Sequence, residues 1–91
     1  MLNNQKISLK TDSPFYPFAS RLLSVREYFD LSINAMVSIC GVSEAVYLKY
    51  ERATGEIPIT IVNTLHRKLS VNPTWLVTGE GAMLQKSIFS D

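Results

Sequence analysis

The chain has 91 residues, of which 46% are apolar and 19% are charged, and its formal net charge is +1. This length holds one domain, and so much apolar material with so little net charge excludes an intrinsically disordered protein. The longest apolar stretch, Ala35 to Val42, is far shorter than the ~20 residues that cross a bilayer, and the N-terminus lacks the apolar block of a secretory signal. We therefore expect a cytoplasmic protein with no membrane partner.

The first part of the chain predicts an arm followed by a helix. Residues 1–17 have no helical periodicity and are rich in turn-forming residues, which predicts an extended N-terminal arm. Within it, the alternation of polar and apolar residues over Lys6–Lys10 fits either a short edge strand or a mobile tail. From Phe18 onwards, apolar residues at spacings of three and four predict a first helix from about Pro17 to Asp30.

Two short helices are predicted next, with a glycine between them. Ser32 is placed to cap a second helix over Ile33–Cys40. Gly41 ends that helix, because glycine takes the left-handed conformation without a steric cost. Ser43 then caps a third helix, which runs from Glu44 to about Arg52.

Two further helices complete an all-α chain. The fourth helix begins near Thr60. The fifth begins at Pro73, because the first position of a helix does not need the N–H group that proline lacks, and it ends at Gly79. The predicted domain therefore covers residues 18–81. Residues 82–91 follow it as a short C-terminal tail.

Several motifs along these helices resemble those of a known family. They are Leu31-Ser32, Met36-Val37, Gly41-Val42-Ser43, Tyr50-Glu51, Pro58 and Trp75-Leu76-Val77-Thr78-Gly79-Glu80-Gly81. In this order and spacing they resemble the helix-turn-helix domain of phage repressor and Cro-type transcriptional regulators, the XRE family, over about residues 19–81. The resemblance implies a compact five-helix, lambda-repressor-like domain, and a homodimer that binds a double-stranded DNA operator.

The resemblance also implies which residues contact DNA. They lie at the start of the second helix, on the third helix and just after it: Ser32, Ile33, Asn34, Ser43, Glu44, Ala45, Leu48, Lys49, Arg52 and Thr54. Helix N-termini suit phosphate groups because they carry unpaired N–H groups, and side chains on the third helix would reach base edges. Arg26 and Glu51 match the family's internal ion pair between the first and third helices, which implies a structural role.

The distribution of charge leaves a second function open. Between Phe18 and Arg52, the cations are balanced by anions: Arg21, Arg26, Lys49 and Arg52 against Glu27, Asp30, Glu44 and Glu51. The third helix also lacks the Arg, Asn and Gln side chains that make bidentate contacts with guanine or adenine. The same features fit a protein-interaction module on a degenerate helix-turn-helix, such as an antirepressor or an inhibitor of a host regulator.

Catalysis and metal binding are not expected. The single cysteine, Cys40, and the single histidine, His66, are too few for an internal disulfide or for a zinc site of three or four ligands. Cys40 is predicted to be a structural residue, because no histidine lies near it in sequence to activate its thiol. His66 is predicted to be a packed or half-exposed structural residue on the fourth helix. Gly79-Glu80-Gly81 follows a predicted helix rather than a strand and is therefore not a phosphate loop. We expect a non-enzymatic protein without cofactors.

Overall fold

Five α-helices follow one another in the computed structural model, which describes residues 12–85. Their bounds are Tyr16–Tyr28 for α1, Ile33–Cys40 for α2, Glu44–Glu51 for α3, Ile59–Leu69 for α4 and Pro73–Thr78 for α5. The prediction of an all-α chain with five helices is confirmed for these residues, whereas Lys6–Lys10 and residues 86–91 lie outside them. The longest helix, α1, has 13 residues. No helix in this part of the chain is long and apolar enough to cross a membrane.

The start of α1 lies inside the predicted arm 1–17. The helix begins at Tyr16 because Ser13 builds a turn just before it. The Ser13 Oγ atom accepts a hydrogen bond from the backbone N–H of Phe15 at 3.0 Å, and its carbonyl oxygen accepts from the N–H of Tyr16 at 3.1 Å. The turn-forming residues just before Tyr16 therefore lead directly into the helix. Residues 1–11 of the predicted arm lie outside the described residues.

The end of α1 also differs from the prediction. The helix ends at Tyr28 rather than at Asp30, because Asp30 takes a left-handed conformation with φ of 55°. The N–H of Asp30 then donates to the carbonyl of Glu27, and the N–H of Leu31 donates to the carbonyl of Arg26. These two bonds form a Schellman motif, which satisfies the last carbonyl groups of a helix.

The helices close a ring around one hydrophobic core. α1 packs against α3 and α5, α2 packs against α3 and α4, and α4 packs against α5. Each helix contributes at least one fully buried side chain to the centre: Leu22, Met36, Tyr47, Leu65 and Leu76. Because α3 contacts α1 on one side and α2 on the other, its remaining surface faces away from the core.

The predicted C-terminal tail begins inside the folded unit. Residues 82–85 run antiparallel to the segment between α4 and α5, with a β-bridge between Val71 and Leu84. The backbone N–H of Asn72 donates to the carbonyl of Met83 at 2.7 Å. Met83 and Leu84 also pack against the core. Residues 82–85 of the predicted tail therefore pack against the five helices.

Candidate nucleic-acid interface

A glycine turn joins α2 to α3, and a serine caps the start of each helix. Ser32 Oγ accepts from the N–H of Ala35 at 3.0 Å, and Ser43 Oγ accepts from the N–H of Val46 at 3.2 Å. Gly41 has φ of 70°, as its predicted role at the helix end requires. Both serine side chains are exposed at the beginnings of their helices.

The exposed face of α3 is centred on Ala45 and Lys49. The opposite face is buried and carries Tyr47, Tyr50 and Glu51. Side chains four positions apart share one face of a helix, so Ala45 and Lys49 lie together on the side away from the buried residues. This orientation leaves an alanine methyl group and a lysine ammonium group at the middle of the exposed surface of α3.

The residues beside this centre differ in exposure. Glu44 is exposed, as predicted, whereas Leu48 is half-buried. Val46, which was not among the predicted contact residues, has 38% of its surface exposed. A helical projection of the sequence could have identified Val46, because it lies three positions before Lys49 and thus next to it on the helix surface.

The start of α2 presents only part of its predicted contact set. Ser32 and Asn34 are exposed. Ile33 is partly buried and packs against the hydrophobic core. The polar groups offered by α2 therefore come from Ser32 and Asn34, and the Ile33 side chain anchors the helix to the domain.

The loop after α3 folds back onto the helix. Arg52 and Thr54 are both exposed. The backbone N–H of Thr54 donates to the carbonyl of Lys49 at 3.0 Å, and its hydroxyl donates to the same oxygen at 3.3 Å. Between them, Ala53 is buried and left-handed, with φ of 62°. Thr54 thus uses its hydroxyl to close the end of α3.

A buried hydrogen-bond network holds the inner face of α3. Arg26 Nε donates to Glu51 Oε2 at 2.7 Å, and Arg26 Nη2 donates to Glu51 Oε1 at 3.2 Å. Tyr47, one turn earlier on α3, donates a short hydrogen bond from its hydroxyl to Glu51 Oε2. Arg26 Nη1 also donates to the carbonyl of Leu31, just before the cap of α2, at 3.2 Å. One guanidinium therefore links α1 to the start of α2 and to the end of α3.

This network changes the acid–base properties of its members. The hydrogen bond to Glu51 raises the pKa of Arg26, despite the opposing effect of burial. Burial, together with the hydrogen bond to Glu51, raises the pKa of Tyr47 above its usual value. The sequence resemblance implied the pair of Arg26 and Glu51 but not the contact with Tyr47. The spacing of four residues between Tyr47 and Glu51 could have indicated that contact.

The charges on the outer surface of α3 and its following loop cancel. Lys49 and Arg52 are exposed cations, and Glu44 and Glu56 are exposed anions. Two other arginines of the domain have their guanidinium groups bound internally. Arg26 is paired with Glu51, and Arg21 donates from Nε to the carbonyl of Leu76 at 2.8 Å and from Nη2 to the carbonyl of Val77 at 2.9 Å.

Cys40 and His66 lie in packed positions away from this surface. Cys40 is buried at the end of α2, and burial raises the pKa of its thiol to about 11. His66 is half-buried on α4, and its Nδ1 atom lies 3.0 Å from the carbonyl oxygen of Val71. Because a carbonyl oxygen only accepts, Nδ1 carries the proton in this contact. Among residues 12–85, no three His, Cys, Asp or Glu side chains form a group that could hold a metal ion.

Comparison of the chain with protein-family models, with curated proteins and with solved structures finds no match. Any functional assignment therefore rests on the arrangement of α2, α3 and the Arg26 network. This arrangement provides two capped helix N-termini and an outward helix face held at a fixed orientation by buried hydrogen bonds.

Proposed function

We propose that this chain is a sequence-specific DNA-binding transcriptional regulator of the phage repressor and Cro type. It has a lambda-repressor-like helix-turn-helix domain and acts as a homodimer. The observation that carries the proposal is the placement of α3. Its inner face is fixed by Tyr47 and Glu51 against Arg26, while Ala45 and Lys49 face outward. A helix held in this way can enter the major groove as a rigid reading element.

The start of α2 and the loop after α3 supply the contacts that position such a helix. The exposed Ser32 and Asn34 can donate hydrogen bonds to phosphate oxygens, and Lys49 and Arg52 add charge. These contacts carry no sequence information but set the register of α3 on the duplex. A homodimer would place two such helices in successive major grooves and read a palindromic operator.

Selection of binding sites from random duplex DNA by the purified full chain tests this function. The expected result is enrichment of one palindromic site, with half-sites about one helical turn apart. Failure to enrich any duplex at low salt would contradict the proposal.

A matched pair of variants locates the binding surface. Ala45→Glu places a carboxylate at the centre of the α3 face, where it would repel DNA, and should abolish binding to the enriched site. Ala82→Glu makes the same change at an exposed alanine outside α3 and should bind as the unaltered protein does. Equal binding by both variants would place the DNA surface elsewhere on the domain.

A protein-interaction module is the second candidate, and the apolar part of α3 favours it. Val46 is 38% exposed beside Ala45, and the exposed charges of the surface cancel. If the natural partner is a protein, Val46→Ser and Leu48→Ala should weaken the complex, because they remove apolar contact area, whereas Lys49→Ala should have little effect. If the natural partner is DNA, Lys49→Ala should weaken binding more than Leu48→Ala does.

A further inference from the structure

We propose that Ala45 reads the C5-methyl group of a pyrimidine in the major groove. At one position of each half-site, the protein would then accept thymine or 5-methylcytosine and disfavour uracil or unmethylated cytosine. The inference rests on the proposed DNA-binding function and specifies what that surface recognises.

The position of Ala45 on α3 is the first observation behind this assignment. It is exposed, and it lies opposite the buried side chains of Tyr47, Tyr50 and Glu51. A side chain in this position meets the floor of the groove when the helix enters it. Because alanine is short, the α3 backbone can approach the base edges closely at this point.

The chemistry of Ala45 is the second observation. Its side chain is a methyl group, which neither donates nor accepts a hydrogen bond, so it cannot distinguish bases by their polar edges. An apolar side chain can instead contact the C5-methyl group that thymine carries in the major groove. 5-Methylcytosine presents a methyl group at the same ring position, so the same contact serves both bases.

Few neighbours of Ala45 can distinguish one base from another, so the methyl contact contributes a large part of the sequence recognition by α3. Glu44, next to Ala45 in the sequence, can accept from the amino group of cytosine, and Lys49, one turn later on the same face, is assigned to a phosphate group. Each of these is a single side chain without the bidentate geometry of Arg, Asn or Gln. With few polar contacts available, removal of one methyl group should be measurable.

Deoxyuracil substitution tests the inference directly, because it removes only the C5-methyl group and keeps Watson–Crick pairing. The full chain is titrated with the enriched duplex, in which each thymine is replaced in turn. Loss of one buried methyl group should weaken binding about fourfold at one position of each half-site. At that position, a 5-methylcytosine–guanine pair should bind more tightly than an unmethylated cytosine–guanine pair by a similar factor.

Variants of Ala45 assign the effect to this residue. Ala45→Gly removes the methyl group and should bind the thymine and deoxyuracil duplexes equally at that position. Ala45→Ser, which replaces the methyl group by a hydroxymethyl group, should also lose the preference and guards against a loss of helix stability in the glycine variant. Ala82→Gly, the same change at an exposed alanine outside α3, should keep it.

The outcomes separate this inference from the function on which it rests. Equal binding of all thymine and deoxyuracil duplexes by the unaltered protein would overturn the inference and leave DNA binding intact. So would an enriched site without thymine, or a preference that persists in both Ala45→Gly and Ala45→Ser. Failure to bind any duplex would overturn the inference together with the proposed function.

Discussion

Arg26 and Glu51 form an ion pair whose two partners are shielded to different extents. Arg26 Nε lies 2.7 Å from Glu51 Oε2, and 19% of the arginine side chain but only 1% of the glutamate side chain is exposed. The carboxylate therefore depends on its protein partners for hydrogen bonds, whereas the guanidinium retains some contact with solvent. Removing the arginine would leave a buried carboxylate held only by the hydroxyl of Tyr47.

The first prediction is that breaking this pair unfolds the domain more easily. Arg26→Ala should lower the free energy of unfolding by about 3–5 kcal/mol, since it leaves an uncompensated buried charge. Glu51→Ala should also be strongly destabilising, because it leaves the buried Tyr47 hydroxyl without its acceptor. Urea denaturation measures both changes.

An exposed glutamate on α1 provides the control for this prediction. Glu27→Ala removes a carboxylate one position after Arg26 and should change stability by less than about 0.5 kcal/mol. Arg26→Lys should be intermediate, because lysine cannot reproduce the two parallel bonds to Glu51. If Glu51→Ala unfolds at the same urea concentration as the unaltered protein, the pair contributes nothing to stability.

The second prediction concerns the turn between α2 and α3. Gly41 has φ of 70°, and a Cβ atom added there would meet nothing within 4 Å. Gly41→Ala should therefore destabilise the domain through backbone strain alone, by about 1–2 kcal/mol. Gly41→Asn should cost less, because asparagine tolerates the left-handed conformation better.

Gly55 provides the matched control for Gly41. It lacks a left-handed φ, and an added Cβ atom would lie 3.6 Å from Lys49 Cβ, an ordinary contact. Gly55→Ala should be neutral, or it should stabilise the domain by about 0.4–1 kcal/mol, because alanine lowers the conformational entropy of the unfolded chain. Equal destabilisation by the two alanine variants in thermal unfolding would contradict the role assigned to the backbone angle.

The third prediction is a loss of stability at alkaline pH. The thiol of Cys40 has its pKa raised from 9.0 to about 11 by burial. As the pH rises, the unfolded chain therefore loses this proton before the folded chain does. The contribution of the buried thiol to the free energy of unfolding is thus complete below pH 9 and is lost as the pH rises through 11. At about pH 9.5 the loss relative to pH 8 should be on the order of 1 kcal/mol.

A Cys40→Ala variant isolates this effect. The two proteins differ only at residue 40, so the difference between their pH profiles reports the thiol. The variant should lose less stability between pH 8 and 9.5 than the unaltered protein, as measured by urea denaturation at each pH. Parallel profiles would show that the buried thiol does not contribute.

The fourth prediction is a homodimer in solution. Palindromic reading requires two copies, and the described surface exposes several large apolar side chains: Tyr28 at 62%, Ile59 at 65% and Val77 at 47%. A domain of this size also leaves a large share of its surface uncovered. Light scattering after size-exclusion chromatography should give twice the mass of one chain, and a monomer at tens of micromolar would contradict the prediction.

The fifth prediction concerns the salt dependence of DNA binding. Lys49→Ala and Arg52→Ala should each lower the slope of log affinity against log salt, by about 0.9 for each phosphate group that the variant no longer neutralises. Lys68→Ala, which removes an exposed lysine on α4, should leave the slope unchanged. Fluorescence anisotropy with the enriched duplex at several salt concentrations provides the measurement. An equal change in all three variants would assign the effect to overall charge rather than to this surface.

Local signals explain which helices could be predicted from the sequence. The bounds of α2 were predicted to the residue. Ser32 caps its start and Gly41 ends it, and both residue types favour the backbone conformations that these positions require. The start of α1 was predicted to within one residue, although Ser13 and Pro14 are equally typical of a loop and of a turn that begins a helix. Its predicted end was wrong because Asp30 takes a left-handed conformation that apolar periodicity does not show.

Interactions between distant segments explain the rest. The spacing of Tyr47 and Glu51 is visible in the sequence, but their hydrogen bond depends on Arg26 reaching across from α1. The β-bridge between Val71 and Leu84 joins two segments without any periodic pattern. In the candidate interface, the exposed alanine and lysine of α3 could be predicted from helical spacing, whereas the partial burial of Ile33 depends on how α2 packs against the core.

The closure of the helix ring affects how the chain folds during its synthesis. Arg21 on α1 donates to the carbonyl of Leu76 on α5, 55 positions further along the chain. Because the ring closes through this pair of helices, a nascent chain that ends before α5 has no complete core to protect it. The α2–α3 unit, by contrast, is built from neighbouring residues and can form early. We therefore expect the incomplete chain to be sensitive to proteases on the ribosome until α5 has emerged from the exit tunnel.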